Sequence, residues 1–214
     1  MATGDYDQWF IQTLGRIHYQ FKVAQPYLGE VLPARAQDFD AVLVTGSPLS
    51  VTRPTKWMVE TATYLREAGE KKVPVLGICF GHQLLGLAYH SKVIRNPKGR
   101  ETGTITVTLT EAGKSDPIFS GAPPTFFAQA THEDVIDALP NQATLLAYNS
   151  NSGVQAMAIG KYVRSVQFHP EARPENLKAV ITSRAMKDSE ELIAGLRPTP
   201  YSEKVLSRFL TCFT

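Results

Sequence analysis

The sequence predicts an α/β fold: a mainly parallel open sheet flanked by helices, with extra antiparallel strands. Three observations predict it. Short uninterrupted apolar runs, "AVLV" at residues 41–44 and "VPVLGI" at 73–78, alternate with a helical pattern, as strands covered on both faces do. The runs give way to Thr-Gly-Ser-Pro and to Gly-x-Cys-x-Gly, which mark strand exits into turns. Further along, "TITVTLT" alternates polar and β-branched residues, the signature of half-exposed strands.

In chain order, "HYQFKVAQ" (18–25) alternates like a strand, with Tyr19, Phe21 and Val23 on one side. "DAVLVTGSP" (40–48) reads as a buried strand feeding a turn. Residues 55–69 are helical: Trp57, Met58, Ala62, Leu65 and Ala68 recur near the 3.6 period, and Gly69 suits a stop. A buried strand at 73–79 precedes a helix at 82–89, despite Gly86. Strands follow in "TITVTLT" (104–110), "TFFAQATH" (125–132) and "ATLLAYN" (143–149). "VQAMAIGKYVRSVQFHPE" (154–171) adds a hairpin-like pair around Gly160-Lys161. Residues 174–214 read as two helices interrupted by "RPTP". No internal repeat or low-complexity segment appears.

The chain has 214 residues, 43% of them hydrophobic, which suits one domain spanning residues 1–214. Its net charge of +2 is spread along the chain without a like-charge block, so nothing favours nucleic acid or an anionic membrane. No apolar run is long enough to span a bilayer. "MATGDYDQWF" is neither a signal nor a transit peptide. Cys79 and Cys212 are too few for a disulfide framework, and a cytosolic location is expected.

Ligands of such sheets bind outside the carboxyl ends of the strands. Three ends stand out: Thr45-Gly46-Ser47, Gly77-Ile78-Cys79 and Phe168-His169-Pro170-Glu171. Gly77-Ile78-Cys79-Phe80-Gly81 is the thiol counterpart of a nucleophile elbow. A strand-to-helix turn this sharp needs residues without a Cβ beside the nucleophile. It lifts the sulfur to a helix N-terminus, where the macrodipole favours negative charge. The N–H of Phe80 then points at a developing oxyanion. A lone Cys in an apolar strand is ordinarily an inert core residue; the flanking glycines reverse that reading. Cys212, within "VLSRFLTCF", has no such setting and reads as structural. A thiolate needs a base, and the base needs orienting. Of the five histidines, His169 is best placed. Pro170 holds it extended, so Glu171 at i+2 lies on its side of the strand and can fix its tautomer.

"GICFGHQ" and "VQFHPE" together resemble the class I glutamine amidotransferase domain. Gly77, Cys79, Gly81 and Gln83 match its nucleophile motif; His169, Pro170 and Glu171 match its later H-P-E. "VLVTGSPLSVT" is similar to the family's oxyanion-loop strand, "NPKGRETGT" to the segment after the nucleophile helix, and "QATHEDVIDALPNQATLLA" to its S/T-H-x-D strand and loop. The stand-alone GMP-synthase-like subgroup is the nearest match. The resemblance implies a flavodoxin-like sheet and a Cys79–His169–Glu171 mechanism through a γ-glutamyl thioester. It places Gly46, Ser47, Phe80, Gln83, Thr131 and His132 around the oxyanion and substrate, and requires no metal or cofactor. Three departures accompany it. Gly46-Ser47-Pro48 replaces a Gly-Gly-Pro loop, and His90-Ser91 replaces Gly-Gly at a turn where positive φ would strain them. The family's first buried strand has no counterpart ahead of "GDYDQWF", implying a shortened N-terminus or a rearranged sheet.

The implied activity is hydrolysis of glutamine's side-chain amide, with ammonia supplied to a separate synthetase partner. The chain carries no G-x-x-x-x-G-K-[ST] phosphate loop. A self-sufficient γ-glutamyl peptidase is the first alternative, and a non-catalytic binding protein that keeps the fold is the second. Simpler readings serve elsewhere: Arg100–Glu101 as a surface ion pair, Trp9, Trp57 and Phe126-Phe127 as core, and His132 and Asp134 as a polar loop or substrate contacts.

Overall fold

The computed structural model describes residues 6–15 and 19–214. In chain order the elements are α1 (Tyr6–Leu14), β1 (Val42–Val44), α2 (Lys56–Glu70), β2 (Val75–Ile78), α3 (Phe80–Ala88), β3 (Val93–Arg95), β4 (Glu101–Leu109) and α4 (Glu111–Ser115). They continue with β5 (Thr125–His132), β6 (Asp134–Ile136), β7 (Ala143–Tyr148), β8 (Ala156–Ile159), β9 (Val163–Val166), α5 (Pro174–Ser183), α6 (Ser189–Ala194) and α7 (Lys204–Phe213).

Seven strands form one sheet in the order β1-β2-β9-β8-β7-β4-β5. The α/β architecture expected from the sequence is present, but the balance of the sheet differs. Parallel pairing is confined to β1–β2 and β2–β9. The remaining neighbours are antiparallel. Unbroken apolar runs report coverage on both faces, not strand direction. β8 and β9 are buried throughout, yet they form the hairpin read around Gly160. Side chains alternate across the sheet with period two. Leu76, Ile78, Ala156 and Ala158 face the layer that holds Phe119, Phe168 and Phe209. Val75, Met157, Ile159 and Val163 face Met58, Leu65, Leu84 and Leu85 of α2 and α3.

Residues 19–25 form no strand. Tyr19 and Phe21 do pack against the core, but Val23 is 46% exposed and no described strand supplies a hydrogen-bonding ladder. Alternation sorts side chains; a strand also needs a partner. His18, like residues 1–5, lies outside the described residues, and residues 6–14 ahead of β1 are helical. Helix α2 runs past Gly69, where a Cβ would sit 2.5 Å from Val163 Cγ2. That glycine is there for close packing, not as a stop. The C-terminal segment holds three helices. The unforeseen break follows Arg184, where Ala185 (φ 44°) and Asp188 (φ 63°) turn left-handed; "RPTP" separates α6 from α7. β3 and β6 form a separate antiparallel pair, too short to show a period in sequence. Among the described residues, no helix is long and apolar enough to cross a membrane.

Candidate active site

Cys79 joins β2 to α3 with φ 51° and ψ −100°, a conformation an L-residue holds only when its surroundings enforce it. Its N–H donates to Val166 O at 2.9 Å, and its carbonyl accepts from Gln83 N at 3.1 Å. The glycines permit the turn. A Cβ on Gly77 would stand 2.5 Å from Gly81 O, and one on Gly81 2.5 Å from Val44 O. The thiol is free and buried, at the first turn of α3.

Parallel pairing of β2 with β9 sets Ile78 beside Val166 and carries His169 to the same end of the sheet. Its N–H donates to Gln129 O at 2.8 Å, fixing the segment to β5. Nδ1 is 2.7 Å from Glu171 Oε1, and both side chains are buried. The carboxylate accepts only, so Nδ1 carries the hydrogen. Nε2 and Glu171 Oε2 are buried without a partner that meets hydrogen-bond geometry. Burial pushes the pKa of His169 down, but the charge of Glu171, then the charge and hydrogen bonding of Cys79, outweigh it and raise it well above 6.5. Cys79 thus acts on His169 although its sulfur does not complete a well-directed bond to Nε2.

Gly46 closes this corner from β1. A Cβ there would lie 2.7 Å from His169 Cε1 and 3.3 Å from the Tyr6 ring. The Tyr6 ring stacks on His169, centroids 5.8 Å apart, and Thr13 Oγ1 reaches Glu171 O at 3.4 Å. Helix α1 therefore lies across the His169–Glu171 segment. Arg184, at the end of α5, donates from Nη2 to Tyr6 OH (3.3 Å) and from Nη1 to Thr131 Oγ1 (3.4 Å). Nothing in the sequence singled out Tyr6 or Arg184; their contacts close over more than fifty residues of chain.

The other predicted residues divide. Ser47 turns its hydroxyl back to Leu49 N (3.2 Å). The Phe80 ring stacks on Trp57 at 5.8 Å, while its N–H belongs to the first helical turn, where no intrahelical acceptor exists. Gln83 is an anchor: Nε2 donates to Asp134 O (2.9 Å) and, more weakly, to Gln167 Oε1 (3.4 Å). His132 contacts Glu101 Oε2 through Nε2 (2.8 Å) and Asp134 O through Nδ1 (3.2 Å). Asp134 Oδ2 accepts from Ser50.

Two simpler readings change. Glu101 is no surface partner of Arg100. It is buried, accepting also from Asn149 (2.7 Å) and Gln155 (2.7 Å), while Arg100 pairs with Glu133. Adjacent strand residues point to opposite faces. For the same reason Phe126 is core but Phe127 is 43% exposed. His90 does adopt positive φ, at 67°. His82, also unforeseen, is fully buried behind the Cys79 turn. Nε2 donates to Val154 O (3.1 Å), Nδ1 accepts from Ser165 Oγ (2.8 Å), and burial pushes its pKa down to about 3 against the raising effect of the Val154 bond. Among the described residues, no group of three or more His, Cys, Asp or Glu side chains is arranged to hold a metal ion.

Known proteins share both sequence and fold with this chain. The chain is 31% identical over 183 residues to gamma-glutamyl peptidase 5 of Arabidopsis thaliana, covering 84% of this chain and 73% of that protein. It is 31% identical over 172 residues to one of the subunits of the glutamine-hydrolyzing GMP synthase of Ignicoccus hospitalis, covering 79% and 85%. A solved glutamine amidotransferase from Methylobacillus flagellatus superposes with a TM-score of 0.80 over 100% of this chain and 92% of that one, at 19% identity; this likeness is one of fold. The family model for glutamine amidotransferase class-I matches residues 3–188. That span runs from α1 through α5 and contains Cys79, His169 and Glu171, so the chain belongs to the class-I glutamine amidotransferase family.

Proposed function

We propose that the chain hydrolyses the γ-amide bond of a glutamyl group, with Cys79 as nucleophile, His169 as proton carrier and Glu171 as its orienting partner. One observation carries the reading. The buried His169–Glu171 pair leaves Nε2 as an unpartnered polar atom on the Cys79 side. A buried polar group without a partner is costly, and a site that exchanges protons with substrate gives it a use. In the proposed path, Sγ attacks the amide carbon, and the oxyanion meets the N–H groups of Phe80 and of the Gly46-Ser47 turn. The C–N bond breaks as Nε2–H protonates the leaving nitrogen. Water then attacks the thioester, its proton passes to Nε2, and glutamate leaves with Sγ restored. Every proton moves through His169, and no metal or cofactor enters a step. Both cysteines are free, and a reducing, cytosolic setting suits a mechanism that needs one.

The leaving group takes one of two forms. From glutamine it is ammonia, passed to a separate synthetase, as the name shared by the GMP synthase subunits among the relatives suggests. From a γ-glutamyl peptide it is an amino acid or peptide, and the chain acts alone, as the gamma-glutamyl peptidase relatives suggest. The test is glutamate release from glutamine and from γ-glutamyl peptides. Cys79→Ala is expected to lower the rate by about 10^4-fold or more. Equal rates for the two proteins refute the assignment of Cys79.

A further inference from the structure

We infer that Arg184, with Tyr6 and Thr131, forms a carboxylate-binding subsite on the leaving-group side of the candidate active site, selecting γ-glutamyl peptides that carry a free C-terminal carboxylate. The inference rests on the hydrolase reading above and adds the substrate class to it. A proton carrier faces the nitrogen that departs. Whatever is bonded beyond that nitrogen therefore lies on the His169 side of Sγ, where Gly46 also closes on the imidazole and the Tyr6 ring. On that flank the Tyr6 ring covers the imidazole, and the next group out is the Arg184 guanidinium.

Its chemistry is unspent. Among the described residues the Arg184 guanidinium makes two hydrogen bonds, at 3.3 and 3.4 Å, both beyond the usual range for N–H···O bonds and both to neutral hydroxyls. No ion pair among the described residues includes it. Five donors in a planar fork match a carboxylate in bidentate fashion, so most of that capacity is open. The backbone fixes where the side chain starts. Arg184 N closes the last turn of α5 on Val180 O at 3.1 Å, and Ala185 at φ 44° takes the chain out of the helix. Arg184 is exposed and bonded to the Tyr6 hydroxyl, whose ring stacks on His169. Ammonia leaves nothing for it to hold. A departing amino acid or peptide offers a carboxylate.

Titration calorimetry on the Cys79→Ala protein, which does not turn over, tests this with γ-glutamylglycine and its C-terminal amide, γ-glutamylglycinamide. The acid is expected to bind about tenfold tighter than the amide, as one partly exposed charge-assisted contact allows. Adding Arg184→Gln should bring the two to parity by weakening the acid alone, and Arg184→Lys should keep part of the preference. Equal affinities with Arg184 present overturn the inference, as does a preference that survives Arg184→Gln. Equal weakening of acid and amide would assign Arg184 to latching α5 onto α1 instead, and also overturns it. The hydrolase reading fails on a different result: no glutamate from either compound with Cys79 intact, whatever the binding preference.

Discussion

Acidification from pH 7 to pH 4 puts a proton on every histidine of the unfolded chain but leaves His82 neutral in the folded one. Its pKa is pushed from 6.5 down to about 3, chiefly because a fully buried imidazolium has lost its water. The neutral ring already satisfies both nitrogens, donating to Val154 O and accepting from Ser165 Oγ. A depressed folded pKa contributes stability that is present above the unfolded value and lost as pH falls toward the folded one. Over this window the loss is about 3 kcal/mol, with a slope approaching one proton. His169 has the opposite sign. Its raised pKa contributes fully below 6.5 and fades only as pH rises through the folded value, so it does not mask the acid limb. Urea denaturation of wild type and His82→Gln at pH 7, 6, 5 and 4 measures the difference. At pH 7 the variant should be less stable by about 1–3 kcal/mol through its disturbed hydrogen bonds, and the two curves should converge as pH falls. A constant gap across the series refutes the account. If the variant does not fold, ring nitrogen shifts of wild-type His82 serve instead: protonation near pH 6 refutes it equally.

Glu171→Gln keeps an acceptor opposite Nδ1 but removes the charge that helps raise the pKa of His169. The alkaline limb of kcat/KM for glutamate release should move to lower pH, and an unmoved limb would contradict a protonated His169 as acid. Gly81→Ala puts a Cβ 2.5 Å from Val44 O and 2.8 Å from Val44 Cβ, which should cost about 1–3 kcal/mol or more. Calorimetry should show a clear drop in Tm there and almost none for Gly153→Ala, whose Cβ meets nothing within 4 Å; equal effects would contradict the packing argument.

The candidate site was legible where its logic is local. Gly77, Cys79 and Gly81 lie within five residues, so spacing conveys their turn. His169 and Glu171, two positions apart, do meet, but through a turn closed by Ala172 N on His169 O at 3.2 Å and not along the extended strand that Pro170 implied, since β9 ends at Val166. Where contacts close over long separations, spacing is silent. Tyr6 meets Arg184 across 178 positions, and Glu101 meets Gln155 across 54. Hydrophobic pattern located most strands of the sheet, and the turn at Gly160 gave away the β8–β9 hairpin, but the pattern reports burial rather than direction, so the sheet read as more parallel than it is. It also lent residues 19–25 a strand's alternation without a neighbour to pair with. Gly69 shows the same limit. Its φ is ordinary, and only the approach of Val163 explains it.

The pairing of β2 with β9 has a consequence for when the chemistry exists at all. Val75 lies opposite Val163 and Gly77 opposite Ser165, so Cys79 and His169 meet only after segments far apart in the chain have zipped together. Helix α1 then seals the corner from the opposite end of the sequence. Before those steps Cys79 is a thiol with no proton partner, on a chain still in transit to its fold. The strained turn that presents it is itself held by a hydrogen bond to Val166 O, across the same seam. On the proposed mechanism, activity therefore requires this long-range pairing to be complete, and turnover would report on the order of the whole molecule.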